Sequence, residues 1–165
     1  MSVSPTALVN GVAQTINSFA VLFQNVSSPP VAQVSWDERE DGKIGLTGVV
    51  ALVSLDREEE SKRFGARSNN KIESTVSVQL LDSIPADETG RATAVENLIE
   101  TARLVRSLLQ TQAIVYTPQG QSPQTLTLSY VESEIEPVID NDRLQGANQG
   151  RSVVRVTYLW EDTGT

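Results

Sequence analysis

Histidine and cysteine are both missing from this chain of 165 residues. Without cysteine there are no disulfides, and the redox compartment is left unconstrained. Without histidine the chain lacks the side chain that most often serves as a general base near neutral pH and binds transition metals. A serine nucleophile would have to rely on a lysine, and Lys43, Lys62 and Lys71 all fall in expected turns or exposed ribbon rather than in a buried pocket that would activate one. Long apolar runs are also missing: none approaches the ~20 residues that span a bilayer. The opening Met1-Ser2-Val3-Ser4-Pro5 lacks the basic start of a secretory signal. No membrane partner is expected, and synthesis is expected in the cytoplasm. Residues 1–36 contain no Asp, Glu, Lys or Arg, and Asp37 is the first charge.

What remains describes a folded module. Hydrophobic residues make up 39% and charged residues 21%, values of an ordinary globule rather than a disordered chain. A chain of this size forms one domain, residues 1–165, and buries roughly 70% of the surface its unfolded form exposes. The formal net charge of −8 argues against holding nucleic acid, which requires Lys and Arg at the phosphates. It suits a surface that DNA slides past without being gripped.

Ser4 followed by Pro5 makes an N-cap and first-turn pair. Leu8, Val12, Ile16, Phe19 and Phe23 then recur at helical spacing, with Asn10, Gln14, Asn17 and Ser18 as an uncharged polar face. Gly11 weakens this helix by about 1 kcal/mol relative to Ala, and Ser27-Ser28-Pro29-Pro30 ends it. The helix covers a sheet or meets a neighbouring subunit, where charge would be costly to desolvate. A short strand over residues 31–36 places Ala32, Val34 and Trp36 on one face, and Asp41-Gly42 turns the chain. Residues 49–55 are apolar on both faces, as an inner strand would be. Ile72, Ser74, Val76, Val78 and Leu80 alternate with Glu73, Thr75, Ser77 and Gln79 in a half-buried strand. The charged stretch between them reads as the outer part of a long β-ribbon, either a solvated tip or an arm reaching a partner.

A second helix is expected over residues 93–110. Thr93 and Glu96 form a capping box, and Val95, Leu98, Ala102, Val105 and Leu109 make a core-facing stripe widened by Ile99 and Leu108. Residues 113–117 and 125–130 read as strands, the latter running into Glu132-Ser133-Glu134-Ile135-Glu136 and stopped by Pro137. A polar loop over 140–150 precedes a last strand in which Val154, Val156, Tyr158 and Trp160 oppose Val153, Arg155, Thr157 and Leu159. The expected fold is α+β: one domain with a mainly antiparallel sheet and a long β-ribbon, packed by an N-terminal helix and a central amphipathic helix.

No motif carries chemistry. Residues 37–44 have some offsets of a calcium loop, but Arg39 stands where an oxygen ligand is needed, Gly48 stands at the terminal carboxylate position, and a strand enters instead of a helix. Asn25-Val26-Ser27 matches a glycosylation sequon without a signal to expose it. Gly45 and Gly48 form no phosphate loop. The carboxylate pairs Asp37–Asp41, Asp56–Glu60 and Glu132–Glu136 all sit in charged surface runs rather than at glycosidase-like positions. Catalytic residues, cofactors and metals are not expected, nor is enzymatic activity.

The order of helix, strand, long hairpin, capped helix and further antiparallel strands, in a compact acidic chain, resembles the tail terminator and neck (tail completion) proteins of tailed bacteriophages. The similarity is carried by residues 5–23, 49–80, 93–110 and 153–160. The tract Ser77-Val78-Gln79-Leu80-Leu81-Asp82 and residues 151–158 following a polar loop add to it. The resemblance implies a virion protein of the tail or neck: a ring of identical subunits, expected as a homohexamer. Such a ring caps the tail tube, stops its growth and meets a head-side connector or stopper protein, while DNA passes through its hole without sequence-specific binding. On that reading Phe19, Phe23, Glu59, Arg63, Phe64 and Arg67 are interface candidates, and Glu132, Glu134 and Glu136 face the channel. Two alternatives stand beside it. One is another tail component such as a tube subunit, against which the N-terminal helix speaks. The other is a ligand-binding or enzymatic α+β domain with a pocket between helix and sheet.

Overall fold

The computed structural model describes residues 3–23, 26, 29–35, 48–60 and 70–162. The expected turn at Asp41-Gly42, the calcium-like stretch, Trp36 and the ribbon tip with Arg63, Phe64 and Arg67 lie outside these residues. The chain forms α1 (Pro5–Ser18), a 3-10 turn (Ala20–Phe23), β1 (Val31–Val34), β2 (Val50–Glu60), β3 (Asn70–Ser83) and α2 (Glu88–Thr111). It continues through β4 (Val115–Tyr116), β5 (Gln124–Thr125), β6 (Ser129–Ile135), α3 (Asn141–Ala147) and β7 (Gln149–Asp162). The fold is α+β, as the sequence pattern implied. Its main sheet has five strands in the order β1-β2-β3-β7-β6, and β4 pairs with β5 separately. All pairs are antiparallel except β1 with β2, which run parallel from Val31↔Val50 to Val34↔Val53.

Strand alternation sorts the side chains onto two faces. Val53, Val78, Val154 and Val156 fall on one, together with Ala51, Val76, Leu80, Tyr158 and Trp160, and all are buried. Both long helices press their stripes onto that face: Leu8, Val12 and Ile16 from α1, and Leu98, Ala102, Val105 and Leu109 from α2, join one core with these strand residues. On the opposite face Leu52, Leu81 and Val153 are buried at one end. There Arg151 reaches Gln79 at 3.0 Å and Asp140 at 3.3 Å. Further along the same face the strands carry Thr75, Thr157, Arg155 and Glu134.

Several boundaries differ from the sequence reading, each for a local reason. α2 starts at Glu88 rather than Thr93, because the Asp87 carboxylate accepts from Gly90 N–H at 2.8 Å and caps the helix one and a half turns earlier. Thr93 is therefore no cap; its hydroxyl donates to Thr89 C=O. Residues 125–130 are not one strand. Leu126 N–H bonds Ile114 C=O and its side chain drops into the core, so the chain leaves the small sheet before joining the large one as β6. The polar loop contains α3, capped by Asp140 at its start and closed by Asn148 at φ 50°. Arg91 anchors it, donating to Leu144 C=O and to Asn148 Oδ1. The ribbon is more than a hairpin: β7 follows β3 out to Asn70↔Asp162. Trp160 Nε1–H donates to Ser74 Oγ at 2.8 Å, and Lys71 pairs with Glu161 at 2.6 Å, so three strands extend together.

Candidate assembly surface

The uncharged face of α1 serves the chain's own strands first. Asn17 pairs with the backbone of Ala32 on the outer edge of β1, donating from Nδ2 to the carbonyl at 2.9 Å and accepting the N–H on Oδ1 at 2.8 Å. Gln14 repeats the arrangement with Thr117, at 3.2 and 2.7 Å, and Thr15 Oγ1 accepts from Val115 N–H at 3.2 Å. A carboxamide matches a peptide group in both donor and acceptor, which a charged side chain does not. Asn17 thereby occupies strand edge that would otherwise recruit another strand.

The other sheet edge is treated similarly. Arg106 from α2 donates Nε–H to Ser133 Oγ at 2.9 Å and Nη2–H to Ser133 C=O at 3.3 Å, covering part of β6. A register shift between Tyr130 and Glu132 adds an irregularity to that edge. Glu132 and Glu134 stand opposite Thr157 and Arg155 on the helix-free face. Glu136 follows the strand, and all three glutamates are exposed. They are not a bare acidic row, because Arg155 runs among them. It meets Glu134 at 4.0 Å, Asp56 at 3.2 Å and the Glu136 carbonyl at 2.7 Å. Strand alternation marks Arg155 only as an outward residue; nothing in the sequence signals its pairing with Asp56, 99 positions away. An open groove of about 280 Å³ lies here, over a buried Thr75–Thr157 hydroxyl contact of 2.8 Å.

The interface candidates fare differently. Phe23 is completely enclosed in the core and offers no surface to a partner, which corrects its expected place at an interface. Its i, i+4 relation to Phe19 continues the α1 stripe, and that stripe faces inward. Phe19 is partly buried against the same core. The exposed apolar residues of this segment are instead Val21 at 69% and Leu22 at 41%, which lie off the stripe. Glu59 is exposed, opposite Glu73 in the ribbon and 3.4 Å from Arg57.

A second groove, about 380 Å³, opens between the start of α2 and the end of β3. Thr89, Thr93 and Asn97 of α2 face Val49, Asp82 and Ser83 across it. Asp82 is the one ionisable group among its described lining residues, and burial raises its pKa above the usual carboxylate value, opposed by the Ser83 N–H. The neighbouring hydroxyls are engaged within the helix, Thr93 with Thr89 C=O and Thr101 with Asn97 C=O. Among the described residues no group of carboxylates suits a metal ion, and no helix is long and apolar enough to cross a membrane. No protein-family model matches the chain, and no curated protein matches it.

Proposed function

We propose that this chain is a structural subunit of a tailed-phage virion. Copies form a ring, expected as a hexamer, that closes the end of the tail tube and joins it to a head-side connector or stopper, and DNA passes through the centre. The observation that carries this reading is the one-sidedness of the sheet. Both long helices cover one face, while the extended half of the other carries Asp56, Glu59, Glu73, Glu132 and Glu134 against Arg57 and Arg155. A surface of that charge repels phosphate and suits a channel wall that must not retain DNA. The guarded sheet edges add support, since a subunit that assembles on schedule must not pair edge to edge before then. The order of elements that carries the family resemblance belongs to the same argument.

Negative-stain imaging and mass measurement of the purified chain test the proposal, alone and with tail tubes. Closed rings with an open centre are the expected result. Monomers at every concentration, with tubes present, would count decisively against it. Turnover of a substrate in the Asp82 groove would move the chain to the enzymatic alternative.

A further inference from the structure

The groove between the start of α2 and the end of β3 lies on the helix-covered side of the sheet, away from the proposed channel wall. Asp82 follows Leu80 in the alternation of β3 and is half-buried there. Its carboxylate accepts from Ser83 N–H, and among the described residues no Lys or Arg neutralises it. The sequence has no Lys or Arg between Lys71 and Arg91, and Arg91 is engaged with Leu144 C=O and Asn148 Oδ1. Thr93 and the completely buried Thr101 donate their hydroxyl protons to Thr89 C=O at 3.2 Å and Asn97 C=O at 2.7 Å. Toward the groove these two hydroxyls therefore keep lone pairs only. The positive end of α2 is already answered, because Gly90 N–H donates to Asp87 at 2.8 Å and Glu88 sits in the first turn. Val49, Pro85 and Ala94 make the lining apolar between these groups, around a volume of about 380 Å³ that falls in the range of small-ligand sites.

We infer that this groove binds a small organic cation, a primary ammonium on an apolar stem, with the Asp82 carboxylate as its counter-ion and a threonine hydroxyl of the α2 wall as a further acceptor. Charge supplies the first reason. A half-buried carboxylate without a counter-ion costs folding free energy, and a bound cation removes that cost. Hydrogen-bond valence supplies the second. Carboxylate and hydroxyl lone pairs act only on a group that brings protons, so a quaternary ammonium of equal charge leaves them idle. Shape supplies the third. Thr93 and Thr101 lie two turns apart, about 12 Å along α2, so an ammonium held at either one leaves the rest of the groove to its stem. One copy of the chain suffices, whether or not copies form a ring.

Titration of the isotopically labelled chain with n-pentylammonium, followed through its amide NMR shifts, tests the site. Saturable shifts at Gly90, Thr93 and Thr101 are expected. Asp82→Asn weakens binding by about tenfold or more. Ala94→Leu fills the groove without changing charge and weakens it as well. Glu100→Gln, on the exposed side of α2, removes one charge and leaves binding unchanged. Pentyltrimethylammonium, with the same charge and no N–H, binds several-fold more weakly, and pentanol does not saturate. Shifts that never saturate overturn the site, as does wild-type affinity in Asp82→Asn. Equal binding of the trimethyl compound overturns it too, since attraction to an acidic chain would then be enough. Acetyl-Gly-Lys-Gly-amide presents the same head group from a protein source. Tighter binding of that peptide than of pentylammonium overturns the small ligand in favour of a partner's lysine. Ring formation is read separately by imaging and stands or falls without this site.

Discussion

Amide side chains decide much of what α1 does. Asn17 satisfies both backbone groups of Ala32 from a partly buried position. Asn17→Ala therefore leaves a donor and an acceptor without their partner, at a cost of about 1–3 kcal/mol, read as a lower urea midpoint. It also frees strand edge, so association that is second order in protein should rise; an unchanged midpoint and unchanged association would remove Asn17 from this role. Gly11 shows the limit of propensity reasoning. Alanine there should strengthen the helix by about 1 kcal/mol, yet its Cβ would sit 2.9 Å from Ile114 Cγ2 and 3.3 Å from Leu126 Cδ1, both on buried side chains. Gly11→Ala is expected to destabilise by about 1–3 kcal/mol, and a raised midpoint would show that β4 can yield. Leu98 is fully buried, as its stripe implied, and Leu98→Ala should cost about 2–5 kcal/mol in chemical denaturation.

At the scale of elements, periodicity made some parts legible and long-range pairing hid others. The stripes of α1 and α2 and the alternation of β3 and β7 recur every few residues, so each identifies both an element and its buried face. Caps and breaks depend on single side chains. Asp87 outcompetes Thr93, Leu126 leaves its expected strand, and α3 hides in a polar run that only Asp140, Asn148 and Arg91 organise. The polar face of α1 was visible, but its partners Ala32 and Thr117 are set by tertiary packing, as is the Arg155–Asp56 pair. Where α2 begins near the end of β3, Asp82 supplies a pH signature. Because burial raises its pKa in the folded state, its contribution to stability is present below the usual value of 3.8 and is lost as pH rises through the raised value. Asp82→Asn should therefore raise the thermal midpoint at pH 7, with the gain shrinking toward pH 3. A gain that persists at pH 3 would assign it to packing rather than to charge. At the other end of α2, the Tyr158 hydroxyl donates to Leu109 C=O at 2.8 Å. Burial first, and Tyr130 second, push its pKa far up, so it remains a donor well above pH 10. That stability is present below the ordinary tyrosine range and is lost as pH climbs beyond it.

For the whole molecule, the proposed channel wall makes a claim about DNA that differs from ordinary acidity. A net charge of −8 keeps any monomer off DNA. A channel wall must do this on one face, repeated around a ring. The double change Glu132→Lys and Glu134→Lys shifts the charge of that face by four units beside Arg155, while the same two changes at Glu96 and Glu100 shift α2 equally. If the helix-free face lines the hole, rings of the first variant should retain linear duplex DNA at low salt, whereas rings of the second retain little and the wild type none. Each phosphate engaged steepens the salt dependence by about 0.9 in the log–log slope. Because every subunit contributes the same lysines to one channel, the slope of the first variant should exceed what two lysines on a single copy can supply. Equal retention by the two variants would mean that net charge alone governs the behaviour, and the helix-free face would lose its place at the centre of the ring.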